Sequence, residues 1–244
     1  MTSDASGQIG PAGRERPFAD TRIWIFDLDN TLYPADCNLF AEVDHRMGAF
    51  IQRYLGVPYE HARYLQKSYY RQYGTTLAGM MKLHGMAPEP FLDYVHDIDL
   101  SPVPEHPELA AQIERLPGRK LIFTAGSRRH AERVAGKLGV LHLFEDICDI
   151  VTTAYVPKEQ REAYDRFIRA HDVRAEQAAM FEDMPHNLVA AHDLGMTTVL
   201  VHSSYMDHPA QAKIKTWKSP PAHVHHMTDD LAAFLSGIAP VEGA

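Results

Sequence analysis

The segment Arg22-Ile23-Trp24-Ile25-Phe26-Asp27-Leu28-Asp29-Asn30-Thr31 constrains this chain more than any other. Residues 22–28 read as a short, β-rich apolar strand, and an apolar run of this kind belongs to a parallel sheet covered by helices on both faces. The strand runs straight into two acids and an asparagine. Open parallel sheets bind ligands outside the carboxyl ends of their strands, so Asp27 and Asp29 stand where chemistry is done. Side chains alternate along a strand with period two, so carboxylates two residues apart can enter one pocket. One can then attack as a nucleophile while the other donates and accepts protons. The alternative is a strand end closed by an Asp-Asn turn.

Beyond this strand the period changes. Leu39, Val43, Met47, Phe50, Ile51 and Tyr54 recur every three or four residues and Gly56 follows, which predicts an amphipathic helix starting at Asn38. A second helix starts near Pro58 and runs through Ala62, Leu65 and Tyr69 to Gly74, a third opens after Thr76, and a fourth follows Pro88. After Pro102, Pro104 and Pro107 strands and helices alternate. Strands are expected over residues 120–124, 147–151, 178–181 and 197–201, helices over 128–138 and 185–194, and a short terminal helix over 229–235. The fold class is therefore α/β, a doubly wound, mostly parallel, Rossmann-like sheet with a helical block inserted after the first strand. The expected division is a flexible tail over 1–20, a core over 21–34 and 104–240, and the helical block over 35–103. The stretch from Ser203 to 228 reads as loop, with His225-His226 solvated, and no internal repeat is present.

Composition removes several functions. A formal net charge of -8 over 244 residues argues against a broad grip on a nucleic-acid polymer, which needs a basic stripe. The N-terminus lacks the apolar stretch of a signal peptide or membrane span, so a soluble, cytoplasmic protein is expected. Cys37 and Cys148 are the only cysteines and have no paired spacing, which suits a reducing compartment and excludes a thiolate zinc site. The expected partner is a small phosphorylated molecule.

Three further strand ends fit that partner. Residues 120–124 end in Thr124, followed by Ala125-Gly126-Ser127 and a helix start, where a hydroxyl and backbone N–H groups can cradle an anion or simply cap the helix. Tyr155-Val156-Pro157-Lys158 puts an ammonium after a proline-stiffened loop, either to neutralise phosphate or as a solvated lysine. Residues 178–181 run into Glu182 and Asp183, adjacent carboxylates that repel unless a cation joins them; hard oxygen ligands suit Mg2+. A helix cap is the alternative for Asp183, and Glu182 is either a second ligand or a hydrogen-bonding neighbour.

Asp27-Leu28-Asp29-Asn30-Thr31, Thr124, Lys158 and Glu182-Asp183 together resemble the four ordered motifs of the haloacid dehalogenase superfamily, and the helical insertion resembles that superfamily's first type of cap. The resemblance implies that Asp27 attacks phosphorus to form an aspartyl phosphate while Asp29 protonates the leaving alcohol and later activates water. It also implies that Asp27, the Asp29 carbonyl and Asp183, with Glu182 assisting, hold Mg2+, and that Thr124, Lys158 and the N–H groups of Asn30 and Ala125 hold phosphate. Many relatives carry asparagine where this chain has Ala125, which bears on leaving-group selection. Relatives that dehalogenate carbon lack an acid at the position of Asp29, so phosphorus chemistry is expected.

Within the superfamily, the segments 29–34, 73–79, 94–97 and 181–188 resemble the pyrimidine 5'-nucleotidase subgroup, which implies a nucleoside monophosphate substrate. Tyr33, Tyr69, Tyr70 and Tyr73 are candidates to stack on a base, or are packing residues. Gly74, Thr75 and Thr76 mark either a helix break facing the pocket or an ordinary turn with a threonine N-cap. Arg128, Arg129 and His130 reach a ribose or second anion, or decorate an exposed helix. Competing readings are a phosphosugar mutase or sugar-phosphate phosphatase with the same motifs, and a catalytically silent binding protein.

Overall fold

A computed structural model describes residues 16–203, 205 and 210–238. In chain order it contains β1 (Ile23–Phe26), α1 (Leu39–Leu55), α2 (Tyr59–Tyr73), α3 (Thr76–His84), α4 (Pro88–Val95), α5 (Pro107–Arg115), β2 (Arg119–Phe123) and α6 (Arg128–Leu138). There follow β3 (Asp146–Cys148), α7 (Arg161–His171), β4 (Ala178–Glu182), α8 (Leu188–Asp193), β5 (Thr197–Val201), α9 (Gln211–Ile214), β6 (His226–Thr228) and α10 (Leu231–Ser236). The strands form a 6-stranded sheet in the order β3-β2-β1-β4-β5-β6, every pair parallel.

The alternation of side chains explains why β1 lies inside the sheet. Trp24 and Phe26 enter an apolar cluster shared with α5, α6 and α10, whereas Ile23 and Ile25 enter one shared with α7 and α8. Helices therefore cover both faces. Phe26 is in register with Phe181 of β4 and their rings stack at 4.6 Å, both fully buried; each such side chain contributes about 1.5–3 kcal/mol.

The helices α1 to α4 follow one another between β1 and α5 and pack together, with Leu39, Val43, Ile51, Ala62, Met80, Phe91 and Val95 buried. These residues belong to the same cluster as Trp24 and Phe26, so the helical block is anchored on one face of the sheet. Thr75 N-caps α3, its side chain accepting from the Ala78 N–H at 3.0 Å. No described helix is long and apolar enough to cross a membrane.

The structure departs from the sequence expectation at several places, among them helix α7, which was not expected, and helix α9 in the stretch read as loop. β1 stops at Phe26, and although the Asp27 N–H still bonds to the Phe181 carbonyl at 2.9 Å, Asp29 already lies in a turn. The two acids thus converge through a turn and not through strand alternation. β3 stops at Cys148 because Asp149 accepts hydrogen bonds from the Thr152 N–H and hydroxyl at 2.9 and 2.8 Å and bends the chain. His225-His226 is not a solvated loop. His226 opens β6, its Nε2 lies 2.8 Å from the Arg16 carbonyl, and its ring stacks on Phe18 at 4.8 Å. The sequence His-Met-Thr lacks the apolar run by which strands announce themselves. Finally, of the expected tail, residues 1–15 lie outside the described residues, while Phe18 packs against Trp24 at 5.7 Å and Phe234 at 5.9 Å.

Candidate active site

Four strand ends bring the candidate residues together. Asp27 follows β1, Thr124 follows β2, Glu182 ends β4 with Asp183 next, and Lys158 lies on the loop after β3; all five are buried. The Lys158 ammonium donates to Asp27 Oδ1 and, at 2.8 Å, to Glu182 Oε2. Glu182 Oε1 accepts from the Met184 N–H at 3.2 Å. Carboxylate oxygens of Asp27, Glu182 and Asp183 lie within 4.8 Å of one another.

Three buried carboxylates thus face one ammonium. Burial, reinforced by Glu182 and opposed by Lys158, pushes Asp27 up to about 8. Burial and the neighbouring Glu182 and Asp27 charges hold Asp183 well above the ordinary carboxylate value. Glu182 goes the other way: burial alone would raise it, but the Lys158 ammonium outweighs burial and holds it low. Isolated buried charge on this scale is costly, and an all-oxygen donor set with surplus negative charge fits a hard divalent cation.

The loop carrying Lys158 is held by its own backbone. Ala154 and Tyr155 adopt left-handed conformations, φ 51° and 64°, in a turn closed by the Tyr155 N–H on the Ile150 carbonyl at 2.8 Å. Asp149 organises both neighbours of this turn, since its Oδ2 also accepts from the Arg128 N–H at 3.0 Å at the start of α6. The sequence reading missed Asp149. Across the site, the Thr124 hydroxyl oxygen accepts from the Gly126 N–H at 2.9 Å. A Cβ on Gly126 would stand 3.2 Å from His130 Cδ2 and 3.3 Å from Thr124 Oγ1, so glycine permits this close approach.

Asp29 has its own surroundings. The Tyr33 hydroxyl donates to its Oδ1 at 2.6 Å, and His130 Nε2 approaches the same oxygen at 3.0 Å. Burial pushes this carboxyl up, but the His130 imidazole and the Tyr33 hydroxyl outweigh it and hold Asp29 below the ordinary value. The His130 ring stacks on His96 at 4.4 Å, and His96 Nδ1 lies 3.0 Å from Ser127 Oγ. Burial, with the nearby His130, pushes His96 down to about 3.

The residues read as base- or ribose-binding are mostly occupied elsewhere. Tyr33 is fully buried against Asp29 and cannot stack on a base. Thr75 is the α3 N-cap, and the buried Thr76 hydroxyl donates to the Gln66 carbonyl at 3.3 Å. Gly74 lies against the Lys158 loop, where a Cβ would meet Pro157 Cβ at 2.7 Å. Arg128 is turned to the sheet edge, bonding Asp146 Oδ1 at 2.8 Å and the Ile147 carbonyl. His130 decorates no exposed face, being 1% exposed. Tyr69 is buried with its hydroxyl 2.8 Å from His84 Nε2, whereas the partly exposed Tyr70 reaches His186 at 3.4 Å. Burial and the charges of Glu159, Asp183 and Glu182 push the Tyr70 phenol up to about 12. A cavity of about 480 Å³ adjoins His130 between α4 and α6, lined among others by Tyr94, His96, Ser127, Arg129 and Arg133.

Residues 21–195 match the haloacid dehalogenase-like hydrolase family. Phosphate metabolism protein 8 of Saccharomyces cerevisiae is 27% identical over 159 residues, which cover 60% of this chain and 49% of that protein. The match thus spans about half the length of that curated relative. The structure is similar to that of a HAD phosphatase from Thermococcus onnurineus, with a TM-score of 0.60 and 16% identity, covering 91% of this chain and 100% of the other. It is similar also to CbbY from Rhodobacter sphaeroides in complex with phosphate, with a TM-score of 0.60 and 18% identity, covering 89% and 99%. At these identities the structural likeness is one of fold.

Proposed function

The chain belongs to the haloacid dehalogenase-like hydrolase family, and from that premise we propose that it is a magnesium-dependent phosphomonoester hydrolase acting on nucleoside 5'-monophosphates. The observation that carries the hydrolase chemistry is the buried group Asp27, Lys158, Glu182 and Asp183 at the strand ends, with Asp29 one turn away. The phosphatase name of one structural neighbour and the presence of Asp29, which relatives that dehalogenate carbon lack, support phosphorus as the centre attacked. The nucleotide preference rests on the resemblance carried by the segments 29–34, 73–79, 94–97 and 181–188.

In the proposed mechanism an Asp27 oxygen forms a bond to phosphorus while the bond to the leaving oxygen breaks. That oxygen keeps the electron pair and takes a proton from Asp29, which is ionised in the free site and takes that proton up as the negative charge of the bound phosphoryl group raises its affinity for one; an alcohol is released and an aspartyl phosphate is left. Asp29, now a carboxylate, takes a proton from water as the water oxygen bonds to phosphorus. Asp27 leaves as a carboxylate, phosphate departs, and Asp29 is again protonated. Lys158 orients Asp27 and neutralises phosphoryl charge, and the Thr124 hydroxyl with the Asn30 and Ala125 N–H groups cradles the oxygens. Asp27, the Asp29 carbonyl and Asp183 would hold magnesium, which when bound would supply charge neutralisation at the phosphoryl group. Both Glu182 oxygens already accept hydrogen bonds, so its assistance consists in steering Lys158 and Asp183. The helices over 35–103 form the cap, with Gly74 against Pro157 of the Lys158 loop and His96 stacked on His130 beside Asp29.

The test is a panel of nucleoside monophosphates and sugar phosphates assayed for inorganic phosphate with magnesium. Release from nucleotides, lost in Asp27→Asn and on chelation, is expected. Preferential hydrolysis of sugar phosphates would overturn the nucleotide reading; phosphate retained on an isomerised sugar would overturn hydrolysis itself.

A further inference from the structure

We propose that His130, seconded by Tyr33, is a positioning residue that fixes which oxygen of Asp29 exchanges the proton during catalysis. The inference rests on the phosphohydrolase reading above and adds to it a residue outside the four motifs.

The Tyr33 hydroxyl and His130 Nε2 converge on the same oxygen, Oδ1. Among the described residues no protein group bonds to Oδ2. An oxygen that accepts two donors has no place for a proton of its own, so Oδ2 is the oxygen left to take up and deliver a proton to the leaving group and to remove one from water. The ring orientation follows from the same network. Among the described residues His130 Nδ1 is buried without a partner, so the tautomer that puts hydrogen on Nε2 leaves only a lone pair unsatisfied. The opposite tautomer would bury an orphan N–H and set a nitrogen lone pair against Oδ1, the costlier arrangement.

Three further contacts hold the ring where this bond is made. His130 lies in the first turn of α6, with its backbone N–H on Ser127 Oγ at 3.4 Å. His96, from the end of α4, covers one ring face at 4.4 Å with the planes 15° apart. Gly126 removes the Cβ that would crowd His130 Cδ2 at 3.2 Å. Tyr33 is equally fixed, fully buried behind the turn that carries Asp29. A freely rotating carboxyl would spend part of its time with the proton misdirected; this clamp removes that freedom.

The consequence depends on the leaving group. A p-nitrophenolate departs without a proton, whereas the alkoxide of benzyl phosphate requires one as the phosphorus–oxygen bond breaks. kcat/KM reports only the steps through release of the alcohol, so hydrolysis of the aspartyl phosphate does not mask the effect. With the magnesium-loaded full chain, His130→Leu is expected to lower kcat/KM for benzyl phosphate about 100-fold and for p-nitrophenyl phosphate less than about 5-fold. His130→Gln, whose amide nitrogen reaches the position of Nε2, should recover most of the difference, and His130→Asn, which is shorter, should not.

Equal loss on both esters in folded His130→Leu, with active wild type, would refute the positioning role and leave the phosphohydrolase reading intact. A wild type that releases phosphate from neither ester would refute both. If leucine prevents folding, Tyr33→Phe decides, because it deletes one donor and keeps the ring: a selective loss on benzyl phosphate supports the clamp, and an equal or absent loss overturns it.

Discussion

Asp183→Asn separates a metal site from a structural acidic cluster, because the two readings demand opposite changes in stability. Oxygens of Asp27, Glu182 and Asp183 lie within 4.8 Å, all buried, and Lys158 supplies one positive charge to Asp27 and Glu182. Two like charges at that distance repel by about 3–4 kcal/mol at an effective dielectric constant of about 20. Protonation of Asp183, whose affinity for the proton is raised by burial and by its neighbours, relieves part of this, so a net strain of about 2–3 kcal/mol is expected near pH 8. The amide is isosteric and removes the charge. In a chelator, Asp183→Asn should therefore melt about 4–12 °C above wild type, since about 1 kcal/mol moves the midpoint by about 2–4 °C in a chain of this size. Magnesium at about 100 times its dissociation constant should raise wild type by about 2.7 kcal/mol and leave the variant nearly unmoved. The advantage has a definite sign with pH. A carboxyl whose folded pKa is raised weakens the fold as pH climbs through and above the ordinary carboxylate value, so the variant's lead should shrink towards pH 4. Thermal melts at pH 8 and pH 4.5, with and without magnesium, measure all of this. A variant that melts below wild type in chelator, or keeps the full magnesium increment, would show that Asp183 holds the fold and no cation.

Lys158→Met leaves the Asp27 and Glu182 carboxylates buried without their ammonium, so a loss of about 3–5 kcal/mol in urea denaturation is expected, partly restored by magnesium. An unchanged midpoint would mean that the ion pairs are not formed. His96, held at about 3 by burial and by His130, stays neutral in the fold. A histidine with a depressed folded pKa contributes fully above its unfolded value near 6.5 and less below it, so lowering pH from 8 to 5 should cost about 2 kcal/mol, an increment that His96→Phe removes. Equal acid sensitivity in that variant would assign the loss to other groups. Gly74→Ala puts a Cβ 2.7 Å from Pro157 Cβ at a residue with φ +80°, so a loss of about 1–2 kcal/mol from the backbone alone is expected in thermal melts. A variant as stable as wild type would show that the cap does not rest on the Lys158 loop as described.

Residue order alone made five of the six strands legible, with the line of acids along the sheet edge. An apolar run such as Ile23–Phe26 leaves the chain little choice, because only a strand covered on both faces buries it. Asp27, Thr124 and Glu182-Asp183 were legible for a related reason: each stands at a strand end, and strand ends are local in sequence; Lys158, on a loop well beyond β3, stood out only by its order among the other motifs. Tertiary structure alone decided which oxygen of Asp29 is engaged, since Tyr33 and His130 meet it from four and 101 residues away. His130 reads as a surface residue in a row with Arg128 and Arg129, yet it is buried, with His96 from the helical block stacked on its ring and Asp29 at its Nε2. Asp149 and the edge strand His226–Thr228 were hidden likewise, their partners being distant and their local pattern polar. Periodicity reports which face of an element is buried; it carries no record of which distant polar group will complete a hydrogen bond, and the arrangement of Asp29 depends on that second kind of information.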